Sequence, residues 1–291
     1  MNILHHVGIS GGKDSTALLL WMVRESGIDP KTILATFCDT DNEHALTYAH
    51  IRMLSETVHP IQTIYPPRGF FELAFYNRRF PDPVSRFCTV ELKIKPTLQL
   101  IARLRGRGWD KIVMCSGVRG SESFERSKLV EREPKDDLIE EWRPMLKWSL
   151  ADVWAIHKRH GIPPHPLYAM GARRVGCFPC IMSKKAEIAA AVIHSPQTFD
   201  KIRSAEQSNK FGGRETPRPF FHYKMIPKRF HSARFKTKKG KLMTLGMIDD
   251  VIAWATEDNE NQRRQLHLPM TELKQDAMDH KVCPSNLGYC E

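Results

Sequence analysis

Long apolar runs are missing from this sequence: the longest, Thr16 to Val23, is far too short to cross a bilayer, so a membrane-spanning protein is not expected. The N-terminus lacks the cationic and small-residue flanks of a secretory signal, which predicts a cytoplasmic protein with no membrane partner. Internal repeats and low-complexity tracts are absent too, setting aside solenoids and compositionally disordered tails. Acidic residues are in deficit: 33 Asp and Glu face 44 Lys and Arg among 291 residues, a formal net charge of +11. What is there is globular in kind, with 41% hydrophobic and 26% charged residues, enough to bury a substantial core. Seven cysteines in a chain expected to stay in a reducing compartment argue against a disulfide framework and toward metal binding, redox chemistry or plain burial.

The first half alternates strand and helix patterns. Ile3 to Ile9, Thr32 to Cys38, Ile61 to Tyr65 and Lys111 to Cys115 are apolar, β-rich segments. Thr16 to Val23, Glu43 to Val58 and about Glu91 to Arg103 have helical character. This order predicts an α/β fold with a parallel sheet, whose ligands sit beyond the carboxyl ends of the strands. Three chemistry-bearing turns fall there: a glycine turn after the first strand, the acidic turn Asp39-Thr40-Asp41-Asn42 after the second, and Gly117-Val118-Arg119 after the fourth. From about residue 143 the pattern changes to helices and irregular segments, with a helix expected over Leu150 to His160. The expected organisation is an α/β nucleotide-binding unit over 1–142, a helical segment with a cysteine pair over 143–199, and a basic, aromatic region with a cysteine tail over 200–291.

Ser10-Gly11-Gly12-Lys13-Asp14-Ser15 lies between an apolar strand and an apolar helix, where backbone N–H groups and a helix N-terminus make a concave anion site. The glycines admit a phosphate close to the main chain, Lys13 adds positive charge, and Ser10 and Ser15 add hydroxyl donors. Asp14 is placed to cap the helix or to help hold a divalent ion. The spacing differs from the Walker loop G-x-x-x-x-G-K-[ST], which disfavours a generic NTPase. Asp39 could act on the ligand or serve only turn chemistry, and Arg119 could neutralise phosphate or form a surface salt bridge.

With this string the chain resembles the PP-loop, or N-type ATP pyrophosphatase, family, whose signature is S-G-G-x-D-S after the first strand. More narrowly it resembles the phosphoadenosine phosphosulfate reductase superfamily. Supporting strings are Phe37 to His44, Arg86-Phe87-Cys88-Thr89 with Lys93-Ile94-Lys95-Pro96, Gly117-Val118-Arg119 with Glu122-Ser123, and Pro166-Leu167-Tyr168 through Gly176-Cys177. The resemblance implies an adenine nucleotide α-hydrolase-like, Rossmann-like fold, with adenine near the edge of the second strand and the phosphates on the glycine loop. It assigns Lys13, Asp14, Asp39 and Arg119 to catalysis. Ser10, Gly11, Gly12, Lys13, Asp14, Ser15, Asp39 and Gly117 are assigned to nucleotide binding. Sulfonucleotide reductases of the superfamily tend to have a degraded loop; here it is intact, which favours ATP with Mg²⁺, cleaved to AMP and pyrophosphate.

Cys177-Phe178-Pro179-Cys180 can bring two thiolates to one metal or cluster. Cys88 stands near the cationic Lys93 and Lys95, which favour its thiolate. In iron–sulfur adenylylsulfate reductases a cysteine pair precedes a similar basic stretch; Cys88 matches the first of that pair, and Thr89 stands in place of the second. Cys283 or Cys290 could supply the missing ligand, with Cys283 preferred. The resulting set of Cys88, Cys177, Cys180 and Cys283 suits a [4Fe-4S] cluster, with zinc or a thiol redox arrangement as alternatives. Cys38 and Cys115 are expected to be buried structural residues.

Residues 200–241 carry thirteen Lys or Arg and three acids, interleaved with Phe211, Phe220, Phe221, Tyr223, Phe230 and Phe235. That composition fits a phosphate-backbone contact surface with stacking platforms, against the competing reading of a solvated basic face. Together these features predict an ATP pyrophosphatase that adenylates a substrate for sulfur transfer on DNA or tRNA, supplied by a sulfur-donor protein. By resemblance it is akin to the ATP-pyrophosphatase component of DNA phosphorothioation systems and to cluster-dependent tRNA thiolation enzymes. Two alternatives stand: a thioredoxin-linked reductase of adenylylsulfate or its 3′-phosphate, and a nucleotide-sensing, nucleic-acid-binding subunit without turnover.

Overall fold

The computed structural model describes residues 2–105, 107–208, 211, 217–237 and 240–257. The predicted alternation is present: β1 (Ile3–Gly8), α1 (Lys13–Arg24), β2 (Ile33–Cys38), α2 (Ala45–Thr57), β3 (Ile61–Ile64), α3 (Phe70–Tyr76), α4 (Phe87–Thr89), α5 (Lys95–Arg105) and β4 (Lys111–Cys115). The single helix expected over 91–103 is instead a short α4, a π-helical turn at Val90–Ile94, and α5. Pro96 has no N–H to give the carbonyl four residues back, and the wider π turn falls where that bond would be missing.

Next come α6 (Phe124–Ser127) and two strands absent from the sequence reading, β5 (Arg132–Pro134) and β6 (Ile139–Trp142). The six strands form one sheet in the order β3-β2-β1-β4-β6-β5, parallel except for the antiparallel edge strand β5. Val7 of β1 registers with Ala35 of β2 on one side and with Cys115 of β4 on the other. Chain order reverses at β1, so a crevice opens between the carboxyl ends of β1 and β4, the switch point where α/β sheets bind ligands.

One face of the sheet packs against α1, α2 and α7 (Leu150–Arg159). Its buried core includes Val7, Leu18, Leu19, Leu20, Leu54, Val153 and Ile156. A capping box between Ser149 and Asp152 starts α7. Leu4 and Ile112 of the opposite face meet Ile101 of α5. Beyond α7 follow α8 (Lys185–His194), α9 (Thr198–Gln207), the antiparallel ribbon β7 (Ala233–Lys236) with β8 (Leu242–Leu245), and α10 (Ile248–Thr256). Among the described residues no helix is long and apolar enough to cross a membrane.

The C-terminal elements build a second core with α3. Here the expectation of aromatic stacking platforms is corrected. Phe211, Phe220 and Phe221 are 5%, 1% and 1% exposed and pack with Phe70, Phe80, Ile202 and Val251. Basic composition hid this, because burying an aromatic ring yields far more than leaving it in water.

Candidate nucleotide site and adjoining cysteine cavity

The glycine loop joins β1 to α1 at the crevice. Gly11 has φ +77°, a conformation open to glycine, and Gly12 is the N-cap of α1. The serines fold the loop on itself: the Ser10 N–H donates to Ser15 Oγ (3.2 Å), the Gly12 N–H to Ser10 Oγ (3.2 Å), and Ser15 Oγ to the Gly12 carbonyl (3.1 Å). The Lys13 N–H donates to the Tyr168 hydroxyl (2.9 Å), and His157 Nε2 donates to the Lys13 carbonyl (2.8 Å). Neither partner was assigned from sequence, although Tyr168 belongs to one of the strings that carry the resemblance. A Cβ on Gly117 would lie 3.1 Å from the Asp14 carbonyl oxygen, so the turn after β4 reaches the loop only because that residue is glycine.

Asp14 does not cap the helix, and its carboxylate is held by two cations. It is 3% exposed, with Oδ1 accepting from Arg119 Nε at 2.7 Å and Oδ2 accepting from Lys13 Nζ at 2.6 Å. Burial pushes its carboxyl upward in pKa, but Lys13 and then Arg119 outweigh that and hold it below the usual range. Arg119 is accordingly no surface salt bridge: it is 6% exposed, and it also approaches Glu122 (3.6 Å). The loop, Lys13, Asp14 and Arg119 are thus brought together as predicted, with Asp14 as the anchor for two cations. Asp39 stands apart from them. Its Oδ1 accepts from the Asp41 N–H (2.9 Å) and the Tyr48 hydroxyl (2.8 Å), the arrangement of a turn; like Lys13, Asp14 and Arg119, it is not among the residues that line the crevice itself.

The crevice encloses about 1000 Å³ with its open mouth, and is lined by Ser10, Ser15 and Gly117 together with Thr36, Cys38, Glu43, Lys93 and Thr97. Its position beyond β1, β2 and β4 suits a nucleotide. Glu43 Oε1 accepts from Thr40 Oγ1 (2.8 Å), while its buried Oε2 has no hydrogen-bond partner among the described residues. Burial pushes the Glu43 carboxyl up. Burial pulls Lys93 down, but Cys177 and Glu43 beside it prevail and keep it a firmly held cation.

A second cavity, of about 980 Å³, shares Lys93 and Gly176 with the first and is lined by Cys88, Cys177, Cys180, Arg86 and Arg174. The loop carrying the paired cysteines is tied to the turn after β2: the Phe178 N–H donates to the Asn42 carbonyl (2.6 Å), and Cys177 Sγ lies 3.4 Å from Thr40 Oγ1. Cys180 Sγ accepts from Arg174 Nη2 (3.3 Å) and the Met182 N–H (3.5 Å). The cations Arg86 and Lys93 do favour the Cys88 thiolate, but burial and then Cys180 raise its pKa by more than they lower it. Burial raises Cys177 as well. Cys115 is buried as expected, while Cys38 is half-buried and lines the nucleotide crevice.

Three of the four cysteines expected to hold a cluster or zinc therefore share one cavity, and Cys283 and Cys290 lie outside the described residues. Among the described residues no three His, Cys, Asp or Glu side chains are placed to hold a metal ion.

Residues 5–183, which hold the loop, the crevice and the cysteine cavity, match the phosphoadenosine phosphosulfate reductase domain. A 37.8 kDa protein of Escherichia phage 186 is 29% identical over 250 residues, covering 69% of this chain and 74% of its own length. A Methanocaldococcus jannaschii protein is 27% identical over 197 residues, 67% of this chain and 40% of that one. An adenosine 5′-phosphosulfate reductase of Burkholderia cepacia is 38% identical over 66 residues, 22% of this chain and 26% of that one. Among solved structures, phosphoadenylyl-sulfate reductase from Candida auris in its phosphate complex is 17% identical with a TM-score of 0.45, covering 62% of this chain and 83% of that one. With its family match spanning sheet, glycine loop and cysteine pair alike, the chain belongs to the phosphoadenosine phosphosulfate reductase domain family.

Proposed function

We propose that this chain is an ATP pyrophosphatase that adenylates an acceptor and thereby prepares it for sulfur transfer. The observation that carries this is the intact Ser10–Ser15 loop, folded at the switch point with Lys13 and Arg119 held on either side of one buried carboxylate. Two cations, a helix N-terminus and two serine hydroxyls converge where the charge of a departing pyrophosphate would develop. In this reading an acceptor oxygen attacks the α-phosphorus, the bond to the bridging oxygen breaks, and pyrophosphate leaves with both electrons of that bond. The terminal sulfur of a persulfide-bearing donor protein then displaces AMP to give an acceptor–S–S–donor mixed disulfide, and a second thiol attacks the donor's sulfur, releasing the thiolated acceptor and leaving a disulfide between the two thiols. Mg²⁺ would arrive with the triphosphate and neutralise part of its charge, while Asp14 fixes the two side-chain cations. No step is routed through a metal–sulfur cluster. The shared boundary at Lys93 and Gly176 would let sulfur chemistry in the cysteine cavity meet the adenylated group.

The reductase reading keeps one specific support, the thiol-lined cavity adjoining the crevice in a chain related to adenosine 5′-phosphosulfate reductases. The two differ in product. With α-³²P-labelled ATP, acceptor nucleic acid and a persulfide-bearing donor, the pyrophosphatase yields labelled AMP together with pyrophosphate, and Lys13→Ala abolishes both. Formation of ADP, or sulfite release from adenylylsulfate with thioredoxin, would reject it, and ATP binding without any turnover would leave only a sensing role.

A further inference from the structure

Among the described cations of the C-terminal region, some are held in ion pairs and others are not. Arg203 is paired with Asp249 (2.7 Å) and Asp200 (2.5 Å), and Arg229 with Glu257 (2.8 Å). Lys228, Arg234, Lys236 and Lys241 are exposed and form no ion pair with any described residue. Strand alternation explains two of them. In β7, Ala233 and Phe235 are half-buried while Arg234 and Lys236 point to solvent, about 7 Å apart along the strand. Register places Thr244 and Leu242 of β8 opposite them, so the outward face of the ribbon is Arg234, Lys236, Thr244 and Leu242, with no acid on it, and the exposed Lys241 stands at its edge, next to Leu242 in the chain. The inward side is anchored, since Leu245 and Ile248 are buried, and Ile248 shares a core with Phe221, Ile181 and the partly buried Cys88 and Cys180.

We infer that the outward face of the β7–β8 ribbon binds the phosphodiester backbone of a nucleic acid. This extends the reading above by giving its acceptor a docking surface. Because the aromatic residues of the segment that pack in the core offer no stacking surface, contact is through phosphate and is indifferent to sequence. A two-stranded ribbon is also a shape that nucleic-acid grooves accept. An anionic membrane is the weaker partner for this face, which shows one large apolar side chain, Leu242.

The test measures binding of the full chain to a short labelled duplex, a single strand and a folded RNA by fluorescence anisotropy, between about 50 and 200 mM salt. Affinity should fall steeply with salt. The combined variant R234A/K236A/K241A should bind about tenfold or more weakly, with a salt slope smaller by about 2 to 3, since each lost phosphate contact removes nearly one. Lys158→Ala, an exposed cation on α7, serves as the control and should change neither quantity. In the wild-type complex, Lys236 and Lys241 should be protected from acetylation, a readout that needs no variant to fold. Unchanged affinity and slope in the triple variant, absence of protection, or binding to phosphatidylserine vesicles but to no nucleic acid would each overturn the inference. Lys13→Ala should bind nucleic acid normally, so loss of ATP cleavage and loss of this surface are separable failures.

Discussion

At the residue scale the site is organised around one buried charge. Asp14 is worth little as an isolated carboxylate out of water; it persists because Lys13 and Arg119 each take one of its oxygens. Removing a partner should therefore cost more than the pair itself contributes. Arg119→Ala leaves Asp14 buried against Lys13 alone and is expected to lower unfolding free energy by about 3 kcal/mol, visible as a reduced urea midpoint. Lys13→Ala should cost less, since the Lys13 side chain is 16% exposed against 7% for Arg119 and water can partly replace it. Equal losses for the two variants would show that the Arg119 bond carries no special share of the stability. The loop residues were legible in the sequence because six consecutive positions carry chemistry between a strand and a helix. Tyr168 and His157 were not, since they meet Lys13 across 155 and 144 positions and nothing local marks them.

At the scale of elements, β1 to β4 were legible because apolar and β-branched residues dominate them and turn-forming residues bound them. β6 was not: Ile139–Trp142 reads Ile-Glu-Glu-Trp, and Glu140, 7% exposed, is tolerated in the sheet because Lys111 and Arg132 pair with it. A similar device joins the C-terminal elements. Glu206 of α9 accepts the Phe220 N–H with Oε1 and the Ile248 N–H at the start of α10 with Oε2, both at 2.8 Å. Burial outweighs those two donors and pushes its carboxyl from 4.5 up to about 7. The folded state thus holds the proton more tightly than the unfolded chain. The resulting stability is fully present below about 4.5 and is lost as pH rises through about 7. Glu206→Gln cannot ionise, so the difference in urea midpoint between wild type and variant should shift in favour of the variant from acidic to mildly alkaline pH. A difference independent of pH would mean that Glu206 titrates alike in both states.

At the scale of the whole molecule, the two cavities meet at Lys93 and Gly176, and the thiols around them report which space a nucleotide enters. Cys38 lines the crevice and is half-buried, with burial raising its thiol. Cys115 also borders the crevice but is 5% exposed, with its Sγ turned to the Val113 carbonyl. Cys88 and Cys180 belong to the other cavity. Alkylation by iodoacetamide, followed peptide by peptide, should therefore label Cys38 slowly and leave Cys115 unlabelled throughout. ATP with magnesium should slow Cys38 several-fold further, because a ligand on the loop fills the space in front of its sulfur. Cys88 and Cys180 act as the internal reference, since a general tightening of the fold would slow them as well. Selective protection of Cys38 assigns the nucleotide to the crevice between β1 and β4. Identical Cys38 rates with and without nucleotide, under conditions where calorimetry shows binding, would move the nucleotide out of that crevice and take the loop's proposed role with it.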